Sequence, residues 1–568
     1  MLRAKIKCQI RFLLLVLVSA FIFFLENPNY FFQNGLSILA WISFIPILII
    51  VNESSLKSVC FYGGLCGFLS YGFYGYWLNA YHPLGLVIIC GSYFLIYAFL
   101  FLLLRITNLA FSKKSYFIQC IILCAFEHVK TLGFFGFSYG VSGYTQWRNN
   151  DLIQISDIFG VFGISYLIIF FSGMIYGFYQ KYKERQGLLD INYDEYENKL
   201  SNITREIKKA RNIKVYSYKN NFISFIIISL LIILSVVYGK IIKIDYSNNK
   251  FIRISAIQNN EDPWKDGVEI YTENIKKLIK LSEESIELNN DISLIVWPET
   301  AVVPSIDYQY YYGTDENRKK IILFLLNYIE NSNKSFLIGN NNTVLEDGNK
   351  KYYNSALFFE KNKKIIPSEI KTYSKNHLVP FSERFPNKKY FPRLYSFLQN
   401  IDTHETAAGT DIEIFNIDEF YFSTPICFED TFGDLCSTMY KKGARCFVNI
   451  SNDAWAHNKV CQNQHKVMAL FRSVENKVPT VRSTASGQTC VIDPNGKILN
   501  EAPSFCSTYL VCDIPIIEKE RNPTLYVKYG YYWQKGLIFL SVLLLISSII
   551  IAIIKAGIRN GRKKQQRK

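Results

Sequence analysis

Thr424-Pro425-Ile426-Cys427-Phe428-Glu429-Asp430 places a cysteine directly after a short apolar run and directly before two acids. The run from Phe420 to Ile426 predicts a strand, so we expect Cys427 at its carboxyl end, on the turn into the next element. Nucleophiles are common there, because the side chain reaches into a crevice while the following backbone N–H can bind a developing oxyanion. Alone the pattern is weak, since most of the 13 cysteines are expected to be small buried hydrophobic residues.

Two stretches upstream carry a carboxylate and an ammonium group in comparable settings. The segment Ile295-Val296-Trp297-Pro298-Glu299-Thr300 puts Glu299 just after an apolar strand that Pro298 ends. The segment from Tyr373 to Pro386 is a loop interrupted by prolines, and it contains Lys375 and Glu383. A thiol needs a neighbouring base to attack near neutral pH, and a carboxylate such as Glu299 can serve as that base.

Composition indicates a membrane protein. A chain of 568 residues with 49% hydrophobic residues is too long for one ordinary domain and too apolar for an ordinary soluble protein. Its net charge of +16 arises from basic residues that cluster beside apolar runs, which favours orientation in a membrane over binding to nucleic acid. The odd number of cysteines and the lack of C-x-x-C spacing indicate neither a disulfide framework nor a zinc site. We expect no metal and no other cofactor.

Eight apolar stretches are long enough to cross a bilayer core of about 30 Å at 1.5 Å per residue. They are residues 9–26, 35–52, 57–79, 83–105, 115–136, 156–179, 221–242 and 534–554. A cleaved signal peptide is rejected for the first stretch, because no small-residue cleavage site follows it. The predicted organisation is a membrane domain of seven helices (1–243), a catalytic domain (248–525), an eighth helix (533–555) and a basic tail (556–568).

The charges of the connecting loops predict an orientation. Lys and Arg crowd the N-terminus, the connections after the fourth and sixth spans, and the tail, whereas the loops Asn27–Asn34 and Asn79–Pro83 carry none. By the positive-inside rule both termini are cytoplasmic, and the domain between spans seven and eight lies outside the cytoplasm. Cys427 is therefore expected on the extracytoplasmic side.

The fifth predicted span contains Glu127, His128 and Lys130. An isolated charge at such depth costs about 2.5–3.5 kcal/mol or more, so these side chains are expected to face protein or a wet cavity. Glu127 and Lys130 are spaced to pair on one helix face. A pair that stabilises the helix bundle and a direct role with substrate both remain open.

Between the seventh and eighth spans, short apolar runs alternate with amphipathic segments. The predicted strands are Ile252–Ile257, Leu294–Trp297, Phe336–Gly339, Ser355–Phe359, Phe447–Ile450 and Thr489–Ile492. Apolar residues at spacings of three and four predict helices at Tyr271–Leu288 and Asn317–Glu330. The alternation predicts an α/β domain with buried sheets.

Several motifs of this domain resemble the carbon–nitrogen hydrolase (nitrilase) superfamily. They are Ile257–Asn260, Trp297–Glu299, Lys375–Pro386, Pro425–Glu429, Asn449–Trp455, Gln464–His465, and Arg472–Glu475 followed by Arg482 and Gly487. Together with the flanking spans, and with segments 133–140 and 154–165, the order is similar to that of the apolipoprotein N-acyltransferase family. The resemblance implies a polytopic α-helical membrane domain plus an α/β nitrilase-like domain, a four-layer α-β-β-α sandwich.

The resemblance also implies a catalytic triad of Glu299, Lys375 and Cys427. Glu299 would take the thiol proton and return it to the leaving group, while Lys375 and the backbone N–H of Phe428 would bind the oxyanion. Lys371 is a rival for the lysine, but the Lys-x-His-Leu-Val-Pro-Phe match selects Lys375.

Other residues receive supporting or substrate-binding roles from the same resemblance. Glu383 would hold the lysine, Glu429 would be a supporting carboxylate, and Trp264 and Trp455 would line the substrate or its acyl chain. Two positions depart from the family pattern. Ser382 stands where glycine is usual, and Phe428 stands where tyrosine is frequent, so no role that needs that hydroxyl is expected.

The implied function is transfer of an acyl chain from a phospholipid to the N-terminal amino group of a diacylglyceryl apolipoprotein at the bacterial inner membrane. The acyl chain would first form a thioester on Cys427. One alternative is a membrane-anchored amidase or nitrilase that uses water as acceptor. Another is a catalytically inactive scaffold that binds lipoproteins.

Overall fold

The computed structural model describes residues 2–81, 83–112, 115–134, 136–189, 200–261, 265, 267–346, 348–385, 389–399 and 405–565. Trp264 and Pro386, which the sequence motifs included, lie outside the described residues.

The N-terminal part of the chain is helical. Its helices are α1 (Leu2–Glu26), α2 (Phe44–Glu53), α3 (Leu56–Tyr74), α4 (Leu78–Tyr81), α5 (Pro83–Phe111), α6 (Ser115–Val129), α7 (Ser156–Phe159), α8 (Val161–Leu189) and α9 (Leu200–Ile242). Short 3₁₀ turns at Ser37–Ile42, Ser142–Gln146 and Leu152–Ile155 connect them. The prediction of a helical domain rich in apolar residues is confirmed here.

Five described helical segments are long and apolar enough to cross a membrane. They are Gln9–Glu26, Leu84–Phe111, Val161–Glu184, Asn221–Ile242 and Leu525–Ile558. Two shorter apolar segments, Ser37–Glu53 and Ser115–Val129, coincide with the predicted second and fifth spans. The predicted third span contains α3, which does not belong to either set. The count of eight spans therefore stays a prediction.

The predicted sixth span is interrupted near its start. Gly160 has a φ of 67°, a left-handed conformation that glycine adopts without strain, and it separates α7 from α8. A Cβ atom at this position would lie 2.6 Å from the ring of Tyr526, so glycine also permits this close approach. The apolar pattern continues across the break, which explains why periodicity alone predicts one helix.

The region from residue 251 to the C-terminal helix alternates strands and helices. The elements are β1 (Phe251–Gln258), α10 (Val268–Leu288), β2 (Leu294–Val296), α11 (Ile306–Tyr312), α12 (Glu316–Asn331), β3 (Ser335–Glu346), β4 (Asn349–Phe359), β5 (Lys371–Ser374), α13 (Pro392–Gln399), β6 (Phe415–Ile417), β7 (Phe420–Phe422), α14 (Gly433–Lys441), β8 (Phe447–Ser451), α15 (Lys459–Asn476), β9 (Thr480–Thr484), β10 (Cys490–Ile492), β11 (Ile498–Glu501), β12 (Thr508–Pro515) and α16 (Leu525–Gln565).

These strands form two main sheets. One has six strands in the order β12-β1-β2-β3-β4-β5, and the other has four in the order β11-β10-β9-β8. Strands β1, β2 and β3 pair in parallel, as do β8 and β9, and the remaining neighbours in these two sheets are antiparallel. Strands β6 and β7 form a separate hairpin.

Two apolar cores define the layers of this domain. One core lies between the sheets and joins residues such as Val296 and Leu337 to Ile450 and Val481. The other lies on the opposite face of the six-stranded sheet, where α10 and α12 cover it. Helix α15 packs beside the four-stranded sheet, so the order of layers is helix, sheet, sheet, helix. The α-β-β-α arrangement implied by the resemblance is thus observed.

Helix α15 also joins the two parts of the protein. Every residue from Val460 to Asn476 is buried. Apolar side chains of α15, including Phe471, share one core with membrane-domain residues such as Tyr144. At the helix end, Glu475 Oε1 accepts a 3.0 Å hydrogen bond from the Val161 backbone N–H, the first residue of α8. The α/β domain therefore rests on the helix bundle through α15.

Two predicted boundaries are wrong. The strand expected from Phe420 to Ile426 ends at Phe422, because this residue pairs with Phe415, the first residue of its partner strand β6. The chain still runs beside β8 through isolated bridges, and Ile426 pairs with Ile450. Helix α16 begins at Leu525, before the predicted eighth helix at 533, because its first turns pack on protein.

Gly339 of β3 lets this strand approach the loop that follows β2. A Cβ atom there would collide with the Pro298 carbonyl oxygen and lie 2.7 Å from the Thr300 nitrogen, both of them backbone atoms. We expect Gly339→Ala to lower the free energy of unfolding by about 1–3 kcal/mol through overpacking. The measurement is the thermal unfolding midpoint in detergent.

Gly91→Ala is the matched control, because no heavy atom lies within 4 Å of a Cβ at Gly91 in α5. Its midpoint should remain close to that of the wild type. Equal midpoints for Gly339→Ala and the wild type would contradict the packing argument.

Candidate active site

Glu299 lies in the loop that follows β2. The Trp297 N–H continues the ladder by donating to the Leu337 carbonyl oxygen at 2.8 Å, and Pro298 then ends it. Only 7% of Glu299 is exposed, and its Oε1 accepts a 2.7 Å hydrogen bond from the Asn354 side-chain amide. Burial raises the pKa of Glu299 above its usual value, although Lys375 opposes the shift. The loop thus directs a buried carboxylate into the site.

Lys375 follows the last residue of β5 and is 1% exposed. Its Nζ donates to Glu383 Oε1 at 2.9 Å and to Glu299 Oε1 at 3.3 Å. Burial opposes its charge, but Glu383 and then Glu299 outweigh burial and place the pKa of Lys375 well above its usual value. The ammonium is therefore permanently charged at neutral pH.

Lys371, the rival lysine, faces away from this site. It begins β5, is exposed, and its Nζ lies 3.4 Å from Glu360. The motif match therefore selected the lysine that the structure brings to Glu299.

Cys427 begins a short 3₁₀ turn, Cys427–Thr431, and has a φ of 50°. A left-handed conformation is unusual for a residue with a Cβ, and such strain is concentrated at functional sites. The charges of Glu299 and Lys375 both act on the Cys427 thiol. Burial, and next the charge of Glu299, raise the pKa of the thiol well above its usual value, although Lys375 opposes this. The resting sulfur is thus a thiol beside a carboxylate.

Glu383 holds the lysine from the second loop. Its Oε1 accepts from Lys375, and its Oε2 accepts a 2.9 Å bond from the Val379 N–H within its own loop. Ser382 is not among the residues with positive φ, whereas Phe381 has a φ of 64°. The loop therefore makes its left-handed turn one residue before the position at which the family usually has glycine.

Glu429 connects the lysine loop to the cysteine turn. Its two oxygens accept hydrogen bonds from the Tyr373 hydroxyl at 2.9 Å. They also accept from the backbone N–H groups of Asn376 at 2.7 Å, His377 at 3.0 Å and Ile426 at 2.8 Å. One buried carboxylate thus fixes the distance between Lys375 and Cys427.

Phe428 follows the cysteine and is 8% exposed. Its ring packs edge-on against Phe432, with centroids 4.9 Å apart. The side chain therefore stabilises the turn by packing, and the backbone N–H is the group available for chemistry.

The two tryptophans differ in what the structure shows. Trp264 lies outside the described residues. Trp455 is half-buried after β8, and its ring lies 5.8 Å from that of Trp77 in the membrane domain. The Trp77 indole N–H donates to Gln464 Oε1 of α15 at 3.0 Å. Trp455 thus lies where the α/β domain meets the bundle. Its role in lining the substrate site stays a proposal.

Glu127 on α6 and Lys130, which directly follows α6, form a buried ion pair of 2.6 Å. Lys130 also donates to the Gly140 carbonyl oxygen at 2.7 Å, and Glu127 Oε2 accepts from the Ser142 N–H at 2.7 Å. The pair is therefore bound to the segment that follows α6. This arrangement favours the bundle-stabilising interpretation over a direct role with substrate.

Sequence reasoning missed two groups of residues at this site. Asn354 on β4 donates to both Glu299 and Glu383, and no local pattern marks an asparagine inside a strand as functional. Behind Cys427 lie four buried charged residues, Asp430, Asp453, His465 and Arg482. Asp453, His465 and Arg482 lie in motifs that carry the family resemblance. Their shared role becomes visible only in the structure, where the four residues pair with one another.

Comparisons with known proteins identify the family of this chain. A family model for carbon–nitrogen hydrolases matches residues 253–518, and one for the N-terminal domain of apolipoprotein N-acyltransferase matches residues 14–174. Apolipoprotein N-acyltransferase 1 of Treponema denticola is 38% identical and covers 97% of this chain and 98% of its own. The chain belongs to the apolipoprotein N-acyltransferase family. It is therefore an N-acyltransferase with a carbon–nitrogen hydrolase domain.

A second relative and a solved structure are also similar to this chain. Apolipoprotein N-acyltransferase 1 of Treponema pallidum is 34% identical over 97% of this chain and 96% of its own. Among solved structures, Nit3 of Saccharomyces cerevisiae, of the nitrilase superfamily, is 19% identical, with a TM-score of 0.35, and covers 47% of this chain and 90% of its own.

Glu429→Gln should destabilise the protein, because one Glu429 oxygen would become an amide nitrogen facing N–H and O–H donors. Each lost hydrogen bond to a charged group costs about 1.5–3 kcal/mol, so we expect a clear fall in the thermal midpoint. The measurement is thermal unfolding of the purified protein in detergent.

Glu419→Gln is the matched control. Glu419 pairs with Lys250 at 2.8 Å on the surface, and such exposed pairs contribute about 0–1 kcal/mol. If both variants unfold at the same temperature, Glu429 does not hold the two loops together.

Proposed function

We propose that this protein transfers an acyl chain from a phospholipid to the N-terminal amino group of a diacylglyceryl apolipoprotein. The observation that carries the proposal is the convergence of Glu299, Lys375 and Cys427 from three separate loops, beside a bundle of apolar helices. The names of the family relatives support the acceptor, and the apolar helices support a lipid donor. Both substrates are lipids, so a membrane-embedded enzyme meets them in the bilayer.

In the first half-reaction, Cys427 Sγ attacks the carbonyl carbon of the phospholipid ester. Glu299 takes the thiol proton as the S–C bond forms, because a thiol with a raised pKa needs a base in contact with it. The carbonyl oxygen becomes an oxyanion, which Lys375 Nζ and the Phe428 N–H stabilise. The C–O bond then breaks, Glu299 returns the proton to the leaving alcohol, and lysophospholipid departs.

In the second half-reaction, the free amino group of the apolipoprotein attacks the thioester. A second oxyanion forms at the same donors, and Glu299 accepts a proton from the attacking amine. When the C–S bond breaks, the proton returns to Cys427 sulfur, and the product carries a new amide bond. Glu383 and Asn354 keep Lys375 and Glu299 in position throughout both steps.

We further propose that the polypeptide spans the membrane eight times, with both termini in the cytoplasm and the catalytic domain outside. Helix α16 supports this orientation. Exposed aromatic residues at its start, Tyr529, Tyr531, Tyr532 and Trp533, match the aromatic belt of a membrane interface beside the catalytic domain. Its other end carries Lys and Arg, which favour the cytoplasmic side.

A hydrolase that uses water as acceptor is the second candidate, because it would form the same thioester. The match of the N-terminal part to apolipoprotein N-acyltransferases, and the relatives of that name, favour the amine acceptor. Product analysis separates the two candidates.

The acyl-enzyme is tested with purified full-length protein in detergent. Incubation with phospholipid should add the mass of one acyl chain to the peptide that contains Cys427, as read by mass spectrometry. Addition of a diacylglyceryl-cysteine peptide should remove that mass and yield N-acylated peptide. Free fatty acid without N-acylated peptide would favour the hydrolase, and an acyl adduct on Cys427→Ala would contradict the proposed nucleophile.

Variants of the triad test the roles of its members. Glu299→Gln should slow acylation by about 10²–10⁴-fold through loss of the base. Lys375→Met should slow it by about 10²–10³-fold through loss of an oxyanion donor. Lys371→Met removes a neighbouring exposed cation and should acylate at the wild-type rate. Equal rates for the two lysine variants would overturn the assignment of Lys375.

Topology is tested with alkaline phosphatase, which becomes active only where its disulfides form. A fusion after Asn249, just before β1, should be active in cells. A fusion after Tyr216, in the basic first part of α9, should be inactive. The reverse pattern would contradict the proposed orientation.

A further inference from the structure

Four charged side chains lie buried behind the cysteine turn and take no part in the proposed proton transfers. They are Asp430 in the turn, Asp453 after β8, His465 on α15 and Arg482 on β9. Their exposed fractions are 1%, 1%, 2% and 0%. Burying charges is costly unless they are paired, so this cluster needs a reason to persist next to a nucleophile.

The geometry shows which protons His465 carries. Its Nδ1 lies 3.0 Å and 3.1 Å from the two carboxylate oxygens of Asp453. Its Nε2 lies 2.8 Å from Asp430 Oδ1 and 3.3 Å from the Cys427 carbonyl oxygen. All of these partners are acceptors, so both ring nitrogens must donate, and a ring with two N–H groups is an imidazolium.

Arg482 completes the balance of charge. One of its terminal nitrogens pairs with Asp430, and the other lies 3.7 Å from Asp453. Two cations therefore face two carboxylates, so the buried charges of the cluster balance. Burial opposes charge on His465, yet Asp430 and Asp453 outweigh burial and raise its pKa to about 9.

The His465 imidazolium contacts the cysteine turn through the backbone carbonyl of Cys427. The Cys427 carbonyl oxygen lies 3.3 Å from His465 Nε2 and 3.5 Å from the Asn449 side-chain nitrogen. The following peptide is trans, because no described peptide bond is cis, and in a trans peptide the C=O and N–H point in opposite directions. A carbonyl held towards His465 therefore turns the Phe428 N–H away from the charge cluster.

We propose that protonated His465 is a positioning residue for acyl transfer. It holds the Cys427–Phe428 peptide in the orientation that presents the Phe428 N–H to the oxyanion. It also polarises that peptide, because a hydrogen bond to the carbonyl oxygen strengthens the N–H of the same amide as a donor. The inference rests on the proposed function of Cys427 and Phe428, and it extends the oxyanion site to a charge that never touches substrate.

If His465 has this role, its replacement should affect two reactions of the Cys427 sulfur atom differently. Acylation of Cys427 passes through an oxyanion and needs the Phe428 N–H. Alkylation of Cys427 by iodoacetamide displaces iodide and forms no oxyanion, although it still needs an accessible, activated thiol. A residue that acts only through the Phe428 N–H should therefore affect the first reaction and spare the second.

The experiment compares both rates in full-length His465→Gln, with the adduct on the Cys427 peptide measured by mass spectrometry. We expect acylation by phospholipid to fall roughly 10- to 100-fold, somewhat less than the loss of a whole oxyanion donor. The rate of alkylation should stay close to that of the wild type. A parallel loss of both reactions, or no loss of acylation, would overturn the proposal.

Two further variants guard the interpretation. Lys466→Gln removes a cation from the next position of α15, where Nζ pairs with Glu501 at 2.9 Å, and it should change neither rate. Asp453→Asn keeps the volume of the side chain but weakens the charge on His465. It should lower acylation less than His465→Gln does without slowing alkylation, because the charge of Asp453 raises the pKa of the Cys427 thiol. The proposal therefore stays testable if His465→Gln does not fold.

The outcome for the wild type separates this inference from the proposed function. If wild-type protein forms no acyl adduct on Cys427, the proposed function fails. If it forms the adduct and His465→Gln forms it at the same rate, only the role of His465 fails.

Discussion

The buried ammonium of Lys375 is the interaction on which the site depends. It lies between Glu383 and Glu299, and these two carboxylates would repel each other in a buried site without it. Because Glu299 stays close to this cation, it remains available as a base next to a thiol that burial keeps protonated. The same cation is placed to stabilise the negative charge that leaves the sulfur during attack. In the proposed mechanism, one buried cation thus supports both the resting state and the transition state.

The surrounding structure restricts how these groups can move. Glu429 connects the lysine loop to the cysteine turn through four different donors, and Asn354 connects Glu299 to Glu383. Pre-organised donors and acceptors need little reorganisation during a reaction, which is a major source of catalytic rate. The site is therefore rigid, since hydrogen bonds to its buried carboxylates connect loops that follow different strands.

Much of the fold could be predicted from the sequence, because strong patterns carry it. The helices around Tyr271–Leu288 and Asn317–Glu330, and the core strands beside Glu299, show clear periodicity, and the structure confirms them. The break at Gly160 was missed because it depends on the close contact with Tyr526. The early start of α16 was missed because it depends on packing against the rest of the protein. At the site, the order of Glu, Lys and Cys predicted a triad, and the structure brings these three residues together. Asn354 and the charges around His465 could not be recognised in the same way, because only packing brings distant residues together.

Helix α15 has a consequence for how the enzyme can be handled. A helix buried on all sides has no face suited to water, and its apolar residues share a core with the membrane bundle. Removing the N-terminal helices to obtain a soluble catalytic fragment would expose this surface and leave Glu475 without the α8 amide that it caps. The fragment would aggregate or rearrange behind the nucleophile, since the same helix carries His465. The helix bundle thus covers one face of the α/β domain, and work in detergent needs the entire polypeptide.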